Sequence, residues 1–147
     1  MKGCYMNTRS LTKYLNDDVV CVVANDQTIL TSNLKGIRPW LKWLRECPET
    51  LEEAMVVDKV VGKAAAMLMV VAKIKKLYTP IISDQALAYL QTQTIDFEYD
   101  QTVPYITNIA NDGLCPMEET VLETSDADEG YQLLLHKVQQ LMQAKKQ

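Results

Sequence analysis

A chain of 147 residues is long enough for one domain with a substantial core and short for two. Hydrophobic residues make up 48% and charged residues 23% of it, and five glycines and five prolines leave little room for long unfolded tracts. The formal net charge of −4 creates no overall field that attracts a phosphate backbone, so we expect no nucleic acid polymer as a partner.

Neither a targeting segment nor a metal site is visible in the residue pattern. The first ten residues lack the apolar core of a signal peptide, and the apolar run 19–24 is too short to span a bilayer. Four cysteines at irregular spacings and one histidine, His136, give neither a disulfide framework nor a usual zinc site. We therefore expect a cytoplasmic protein with no membrane partner, no metal and no cofactor.

The first third of the chain predicts a β-hairpin and a helix. A short helical turn at 10–15 precedes two apolar, β-branched runs at 19–24 and 28–32, which a polar turn joins. Pro39 suits the first turn of a helix that ends near Cys47. The apolar residues that share one face of this helix are Trp40, Leu41 and Leu44.

The middle of the chain alternates strands and helices. A strand at 55–57 is followed by apolar residues at helical spacing, which predict a central helix over about 59–76. A strand at 77–82, a helix at 85–91 and an edge strand at 95–99 come next. The helices between these strands predict right-handed crossover connections, which join parallel strands. Together with the hairpin, the strands form a mixed five-stranded sheet flanked by helices.

The last third combines an irregular stretch with one long helix. The turn signal Asn-Asp-Gly at 111–113 precedes Pro116, which suits the start of a short helix. The capping pattern from Ser125 to Asp128 begins a final helix at about 126–145. This helix carries a single apolar stripe, so we expect one of its faces to pack on the domain.

The segment from Met55 to Ala66 is the strongest candidate for a ligand site. Its pattern predicts a buried strand followed directly by the start of a helix, where unpaired backbone N–H groups attract anions. Lys59 and Lys63 are four residues apart, so we expect them on one side of the first helical turns. Two cations there are unfavourable unless an anion joins them. The alternative is a pair of solvated lysines.

Gly62 strengthens the case for a site, because a glycine early in a helix costs about 0.5–1 kcal/mol relative to alanine. It indicates the close approach of a ligand, or equally a tight packing of helix on sheet. A phosphate-binding loop is excluded, since Val57 and Ala64 stand where that motif needs glycine and a hydroxyl residue. For Asp58 we favour a helix N-cap over a general base.

Cys115 is the other candidate for chemistry. It lies in turn-like, polar surroundings just before the helix at Pro116, a position where a thiol can have a lowered pKa. A nucleophile also needs a base, and His136 lies among leucines, where a packing role is expected. Glu118 or Glu119 could serve instead, so a nucleophilic Cys115 stays a hypothesis without an assigned partner.

The order hairpin, helix, strand, helix, strand, helix, strand resembles the cytidine deaminase-like fold. The segments D-K-V-V-G-K-A-A-A at 58–66 and G-L-C-P-M-E at 113–118 resemble a prokaryotic family of unknown function placed in that fold. The resemblance implies an α/β protein, a three-layer α/β/α sandwich in one domain over 1–147 with its core at about 19–123. It further implies a crevice lined by Asp58, Lys59, Gly62 and Lys63 and covered by Cys115 and Glu118.

The zinc ligands of a deaminase are missing from both helix starts. In true deaminases a histidine or cysteine and a glutamate begin the central helix, and a P-C-x-x-C pair begins the next one. Here those places hold Asp58-Lys59-Val60 and Ser83-Asp84-Gln85, and Cys115-Pro116 reverses the order of proline and cysteine. One thiol without a nearby histidine cannot supply three zinc ligands, so we expect no metal.

The leading hypothesis is a zinc-free deaminase-like protein that binds a small anionic molecule, with nucleotide-like compounds among the candidates, at the start of the central helix. Its predicted ligand-binding residues are Lys59, Gly62, Lys63 and Glu118. One alternative is an interaction or oligomeric module, such as a homodimer, with a vestigial pocket. The other is a zinc-independent enzyme whose predicted catalytic residues are Asp58, Lys63 and Cys115.

Overall fold

A computed structural model describes residues 8–107, 111 and 113–146, and it contains one mixed β-sheet. Cys4 and Asp112, the latter part of the predicted Asn-Asp-Gly turn, lie outside the described residues. The strands are β1 Cys21–Ala24, β2 Ile29–Ser32, β3 Met55–Asp58, β4 Val60–Val61, β5 Lys76–Ser83 and β6 Asp96–Val103. The α-helices are α1 Arg38–Glu46, α2 Pro48–Leu51, α3 Lys63–Ala72, α4 Asp84–Leu90, α5 Pro116–Thr120 and α6 Ala127–Lys146, and a 3-10 helix spans Arg9–Tyr14.

The predicted hairpin is confirmed and forms one side of the sheet. β1 and β2 are antiparallel, with Val22 opposite Thr31, and Asn25 closes the turn between them. The Asn25 side-chain oxygen accepts hydrogen bonds from the N–H groups of Gln27 and Thr28, which is the local pattern that makes asparagine a turn residue. The other edge of β1 pairs with β3, also antiparallel.

The other side of the sheet is parallel, as the alternation of strands and helices predicted. β5 pairs in parallel with β6 and with both β3 and β4, so these two short strands lie one after the other along the same edge of β5. Val56 is opposite Leu77, and Val60 is opposite Ile81. The sheet thus has five strand positions, and the middle one is divided between β3 and β4.

The predicted central helix over 59–76 is wrong at both ends. The β-branched residues Val60 and Val61 pair with β5 instead of joining the helix, because sheet hydrogen bonds outweigh their helical spacing. Gly62 is extended, with φ −102° and ψ 177°, and α3 starts after it. The helix ends where Lys73 takes a left-handed conformation, and the Lys73 N–H group bonds back to the carbonyls of Met69 and Val70.

Most helices lie together on one face of the sheet. α3 contacts α1, α4, α5 and α6, and its residues from Ala64 to Met69 are all buried. α6 approaches it closely, since a Cβ added at Gly130 would lie 2.9 Å from the Met67 sulfur. No described helix is long and apolar enough to cross a membrane.

The opposite face of the sheet carries the 3-10 helix and a smaller core. Alternate residues of β1 divide between the faces: Val23 joins the large core with the helices, and Val22 packs in the small core with Leu11. Leu11 is 2% exposed and belongs to the 3-10 helix. The predicted three-layer sandwich is therefore only partly present in the described residues. They form a sheet with a helical layer on one face and this single 3-10 helix on the other.

Candidate functional site

The start of α3 is occupied by the side chain of Glu118. Glu118 Oε1 accepts a hydrogen bond from the Lys63 N–H group at 2.7 Å, and Oε2 accepts one from the Ala64 N–H group at 2.9 Å. These N–H groups belong to the first helical turn and have no partner within the helix. A carboxylate also fits the positive end of the helix dipole. The chain therefore supplies its own anion at the position where the sequence predicted an external one.

Gly62 makes room for this carboxylate. A Cβ added at Gly62 would lie 2.6 Å from the carboxyl carbon and from both carboxylate oxygens of Glu118. The backbone of Gly62 is extended and open to any residue, so glycine is required here by the close approach of Glu118 and not by its conformation. We call Gly62 and the N–H groups of Lys63 and Ala64 the carboxylate site.

Burial and hydrogen bonding shift the pKa of Glu118 in opposite directions. Its residue is 7% exposed, and burial raises the pKa of its carboxyl group. The N–H groups of Ala64 and Lys63 and the positive charge of Lys63 oppose that rise. Among the described residues Glu118 has no ion pair within 4.0 Å, so backbone donors hold this carboxylate.

The two lysines do not share a helix side, and that prediction is wrong. Lys59 lies between β3 and β4, and its ammonium group donates to the Asn16 carbonyl at 2.5 Å. Lys63 begins α3, and its ammonium group donates to the Leu122 carbonyl at 3.2 Å. The Lys63 N–H group binds the Glu118 carboxylate, and the Lys63 ammonium group binds the Leu122 carbonyl. Lys63 therefore connects α3 both to α5 and to the turn that follows α5.

Asp58 is not the helix N-cap, because Gly62 occupies that position. Asp58 ends β3, is 5% exposed and accepts a hydrogen bond on Oδ2 from the indole N–H of Trp40 at 3.2 Å. The Cys21 thiol and the N–H groups of Lys59 and Val60 also favour the charged form of its carboxyl group and lower its pKa. Burial outweighs the effect of these four groups and raises the pKa of Asp58 from 3.8 to about 7.

Two partners of Asp58, Cys21 and Trp40, were missed by sequence reasoning. Cys21 stands directly opposite Asp58 across β1 and β3, and Trp40 lies on the buried face of α1. Burial, followed by the charge of Asp58 and a hydrogen bond to it, raises the pKa of the Cys21 thiol well above its usual value. Cys21 therefore stays a protonated thiol. The strand register was the signal that could have placed it beside Asp58.

Cys115 and His136 have separate surroundings. Cys115 directly precedes α5, is half-buried, and donates its N–H to the Ile106 carbonyl at 2.9 Å. His136 is exposed on α6, where its ring pairs with the amide of Gln140 at 3.2 Å. No hydrogen bond joins any two of the predicted catalytic residues Asp58, Lys63 and Cys115. Within 8–107, 111 and 113–146, no group of three His, Cys, Asp or Glu residues could hold a metal ion.

A cleft of about 280 Å³ lies at the opposite end of α3, where the sequence predicted no site. Glu53 and Lys73 stand at this cleft with φ of 61° and 63°, left-handed conformations that are uncommon outside glycine. Neither conformation has a signal in the sequence, since both residue types are ordinary ones for exposed positions. The residues that line the cleft are Glu53, Val70, Lys73, Ile74, Gln93, Thr94 and Ile95.

Comparison with known proteins identifies a family. A family model, TM1506, a domain of unknown function (DUF1893), matches residues 10–138. The chain therefore belongs to the DUF1893 family. A crystal structure of a DUF1893 family protein, TM1506 from Thermotoga maritima, is similar with 28% sequence identity and a TM-score of 0.79, over 88% of this chain and 87% of that one. No curated protein matches the chain.

Proposed function

We propose that this DUF1893-family chain is a zinc-free protein of cytidine deaminase-like fold that binds a small anionic molecule at the start of α3. Nucleotide-like compounds are among the candidate ligands. The observation that carries the proposal is the carboxylate site itself, in which two consecutive N–H groups hold a buried carboxylate over a glycine. A carboxylate or phosphate group of the ligand would replace the Glu118 side chain there.

The topology supports both the fold assignment and the location. A hairpin followed by parallel strands, with a central helix that starts just after the third strand position, is the order expected of the deaminase-like fold. The carboxyl ends of β3 and β4 lead directly to the start of α3. In open α/β sheets, ligands bind outside the carboxyl ends of the strands, because loops and helix starts leave a crevice there.

Lys63 supplies the positive charge in this proposal. Its ammonium group is bound to a neutral carbonyl, that of Leu122, so no ion pair has to break before it turns towards an anion. Lys59 is the predicted second cation, and it would exchange the Asn16 carbonyl for the ligand in the same way. Glu118 would leave the site as the ligand enters, which prevents two anions from sharing it.

Replacing Lys63 with alanine should weaken binding of an anionic ligand at least about tenfold, because a charge-assisted hydrogen bond contributes about 1.5–3 kcal/mol. The measurement is a thermal-shift screen of nucleotides, phosphorylated metabolites and small carboxylates at fixed ionic strength, followed by calorimetry of the hits. Lys75→Ala is the matched control, since Lys75 is an exposed lysine beyond the other end of α3. The proposal fails if no compound binds, or if Lys63→Ala keeps the wild-type profile.

A second candidate function is an interaction or oligomeric module. The Glu118 carboxylate occupies the position proposed for the anion. This arrangement is expected of a pocket that no longer binds a ligand. The end of α6 is the observation that favours a partner: Leu141 and Met142 are 37% and 56% exposed. The buried core of a protein interface is rich in apolar side chains, and methionine is enriched there.

An enzyme that uses Asp58, Lys63 and Cys115 is the third candidate. Asp58 is the residue best suited to proton transfer, because its pKa of about 7 lets it gain or lose a proton near neutrality. The purified protein is expected to contain no stoichiometric zinc. Elemental analysis checks this, and one zinc ion per chain would overturn the zinc-free assignment in all three candidates.

A further inference from the structure

Three loops of the chain meet around the cleft at the end of α3. They precede β3, β5 and β6, which are parallel neighbours in the sheet, so the loops lie at one edge of it. The carboxylate site lies at the other edge, after β4. The cleft volume of about 280 Å³ is just below the range of about 300–1,000 Å³ that holds drug-sized ligands, so it suits a molecule of metabolite size.

Glu53 and Lys73 bring opposite charges to this cleft from adjacent positions of the main chain. The Glu53 N–H group donates to the Lys73 carbonyl at 2.8 Å, so the two side chains start next to each other. Both side chains line the cleft and belong to exposed residues. Within the described part of the chain, the Glu53 carboxylate and the Lys73 ammonium group have no ion pair and no hydrogen bond. One charge of each sign is therefore available to a ligand.

The backbone conformation of both residues would suit glycine better. Their φ angles are 61° and 63°, in the left-handed region that a side chain disfavours. Lys73 stands at the end of α3, where helices commonly finish on glycine. Left-handed residues other than glycine cluster at ligand clamps and active sites. Binding of a ligand explains why a long charged side chain stands at each of these two positions.

The other side of the cleft is apolar. Val70 and Ile95 are half-buried and Ile74 is 5% exposed, so these three residues form an apolar wall. Thr94 adds a hydroxyl group without a hydrogen-bond partner among the described residues. The carbonyl end of α3 carries partial negative charge and favours a cation beside it. The cleft thus combines a place for a cation, a place for an anion and a surface for an aliphatic group.

We propose that this cleft binds a free amino acid with an aliphatic side chain. Its ammonium group would bind the Glu53 carboxylate beside the carbonyl end of α3, and its carboxylate would bind the Lys73 ammonium group. Its side chain would cover the apolar wall. An amino acid holds its two charges on one small skeleton, which matches two side chains that start from hydrogen-bonded neighbours. The site is separate from the carboxylate site, and the inference is independent of the proposed anion binding.

Titration of the full chain with L-valine, followed by calorimetry and by NMR of the ¹⁵N-labelled protein, tests the inference. We expect saturable binding that shifts the backbone signals of Glu53, Lys73 and Thr94. N-acetyl-L-valine lacks the ammonium charge and L-valinamide lacks the carboxylate. Each should bind at least about tenfold more weakly, which is the loss expected for one charge-assisted hydrogen bond. Absence of L-valine binding, or equal binding of either derivative, overturns the inference.

Variants of the two charged residues assign the binding to the cleft. Glu53→Gln and Lys73→Gln should each weaken L-valine binding at least about tenfold, whereas the controls Glu52→Gln and Lys75→Gln should not, since both are exposed neighbours outside the cleft. Lys73→Gly should lose the binding while it raises the melting temperature, because glycine favours this backbone conformation. Binding that survives both cleft variants contradicts the inference. Lys63→Ala should leave L-valine binding unchanged, so the two proposed sites can fail separately.

Discussion

Gly62→Ala is expected to lower the free energy of unfolding by about 3 kcal/mol, an effect far larger than that of a usual glycine-to-alanine change. The added Cβ would stand 2.6 Å from the Glu118 carboxylate, which must leave the start of α3. Two charge-assisted hydrogen bonds, to the N–H groups of Lys63 and Ala64, are then lost. Urea unfolding followed by tryptophan fluorescence measures the change.

A double-mutant cycle identifies Glu118 as the cause. Glu118→Ala alone should cost about as much as Gly62→Ala, and both together about as much as either, because they remove the same interaction. Gly36→Ala is the control: Gly36 has φ +67° and open space around its Cβ position, so its cost comes from the backbone. The Gly36 effect should add fully to that of Glu118→Ala. Additive effects at Gly62 and Glu118 would contradict the assigned contact.

The same pair of variants bears on function. Glu118→Ala leaves the carboxylate site empty, so a free anion should bind it more tightly than it binds the wild type. Acetate and inorganic phosphate are suitable probes, with chloride at equal ionic strength as the reference. Gly62→Ala places a methyl group where the carboxylate lay and should bind neither probe in the Glu118→Ala background. A site that is structural only would show no rise in melting temperature with either anion.

The second large effect expected is a fall in stability between pH 5 and pH 8.5 that depends on Asp58. Its pKa is about 7 in the folded chain against an ordinary value of 3.8, so the folded state binds this proton more tightly. The contribution is fully present below the ordinary value and is lost as the pH rises through about 7. The loss from pH 5 to pH 8.5 corresponds to about 3 kcal/mol.

Asp58→Asn removes this titration and should flatten the pH dependence over the same range. Unfolding in urea at several pH values provides the measurement, and Asp26→Asn, an exposed acid in the hairpin turn, is the control that should keep the wild-type slope. Glu118 acts in the same direction as Asp58, since burial also raises its pKa. Glu98 acts oppositely and at lower pH, because its hydrogen bonds with Lys76 and Arg9 lower its pKa. An unchanged slope in Asp58→Asn would sink the assignment.

The individual strands and helices were predictable where residues close in the chain determine their start or their type. The β-branched runs of the hairpin, Pro39 at the start of α1, Ser83 before α4 and Pro116 at the start of α5 all act within one or two turns of chain. The structure places a strand or helix at each of them, and the Ser83 hydroxyl accepts the Ala86 N–H at 3.1 Å. The predicted start of the central helix was wrong, because whether Val60 and Val61 join a helix or a sheet depends on their partners in β5, which lie 21 residues further along the chain.

By itself the sequence determined that the chain is an α/β protein, and it marked Gly62 and the start of the central helix as a candidate anion site. These inferences follow from hydrophobic periodicity, helix propensity and the helix dipole, which act over a few residues. Only the tertiary structure decided which anion is there. Glu118 reaches Lys63 across 55 residues, and Asp58 meets Trp40 and Cys21 through packing of α1 and β1 on β3. Hydrogen-bond partners that are distant in the chain depend on how the layers pack, and no local pattern records that choice.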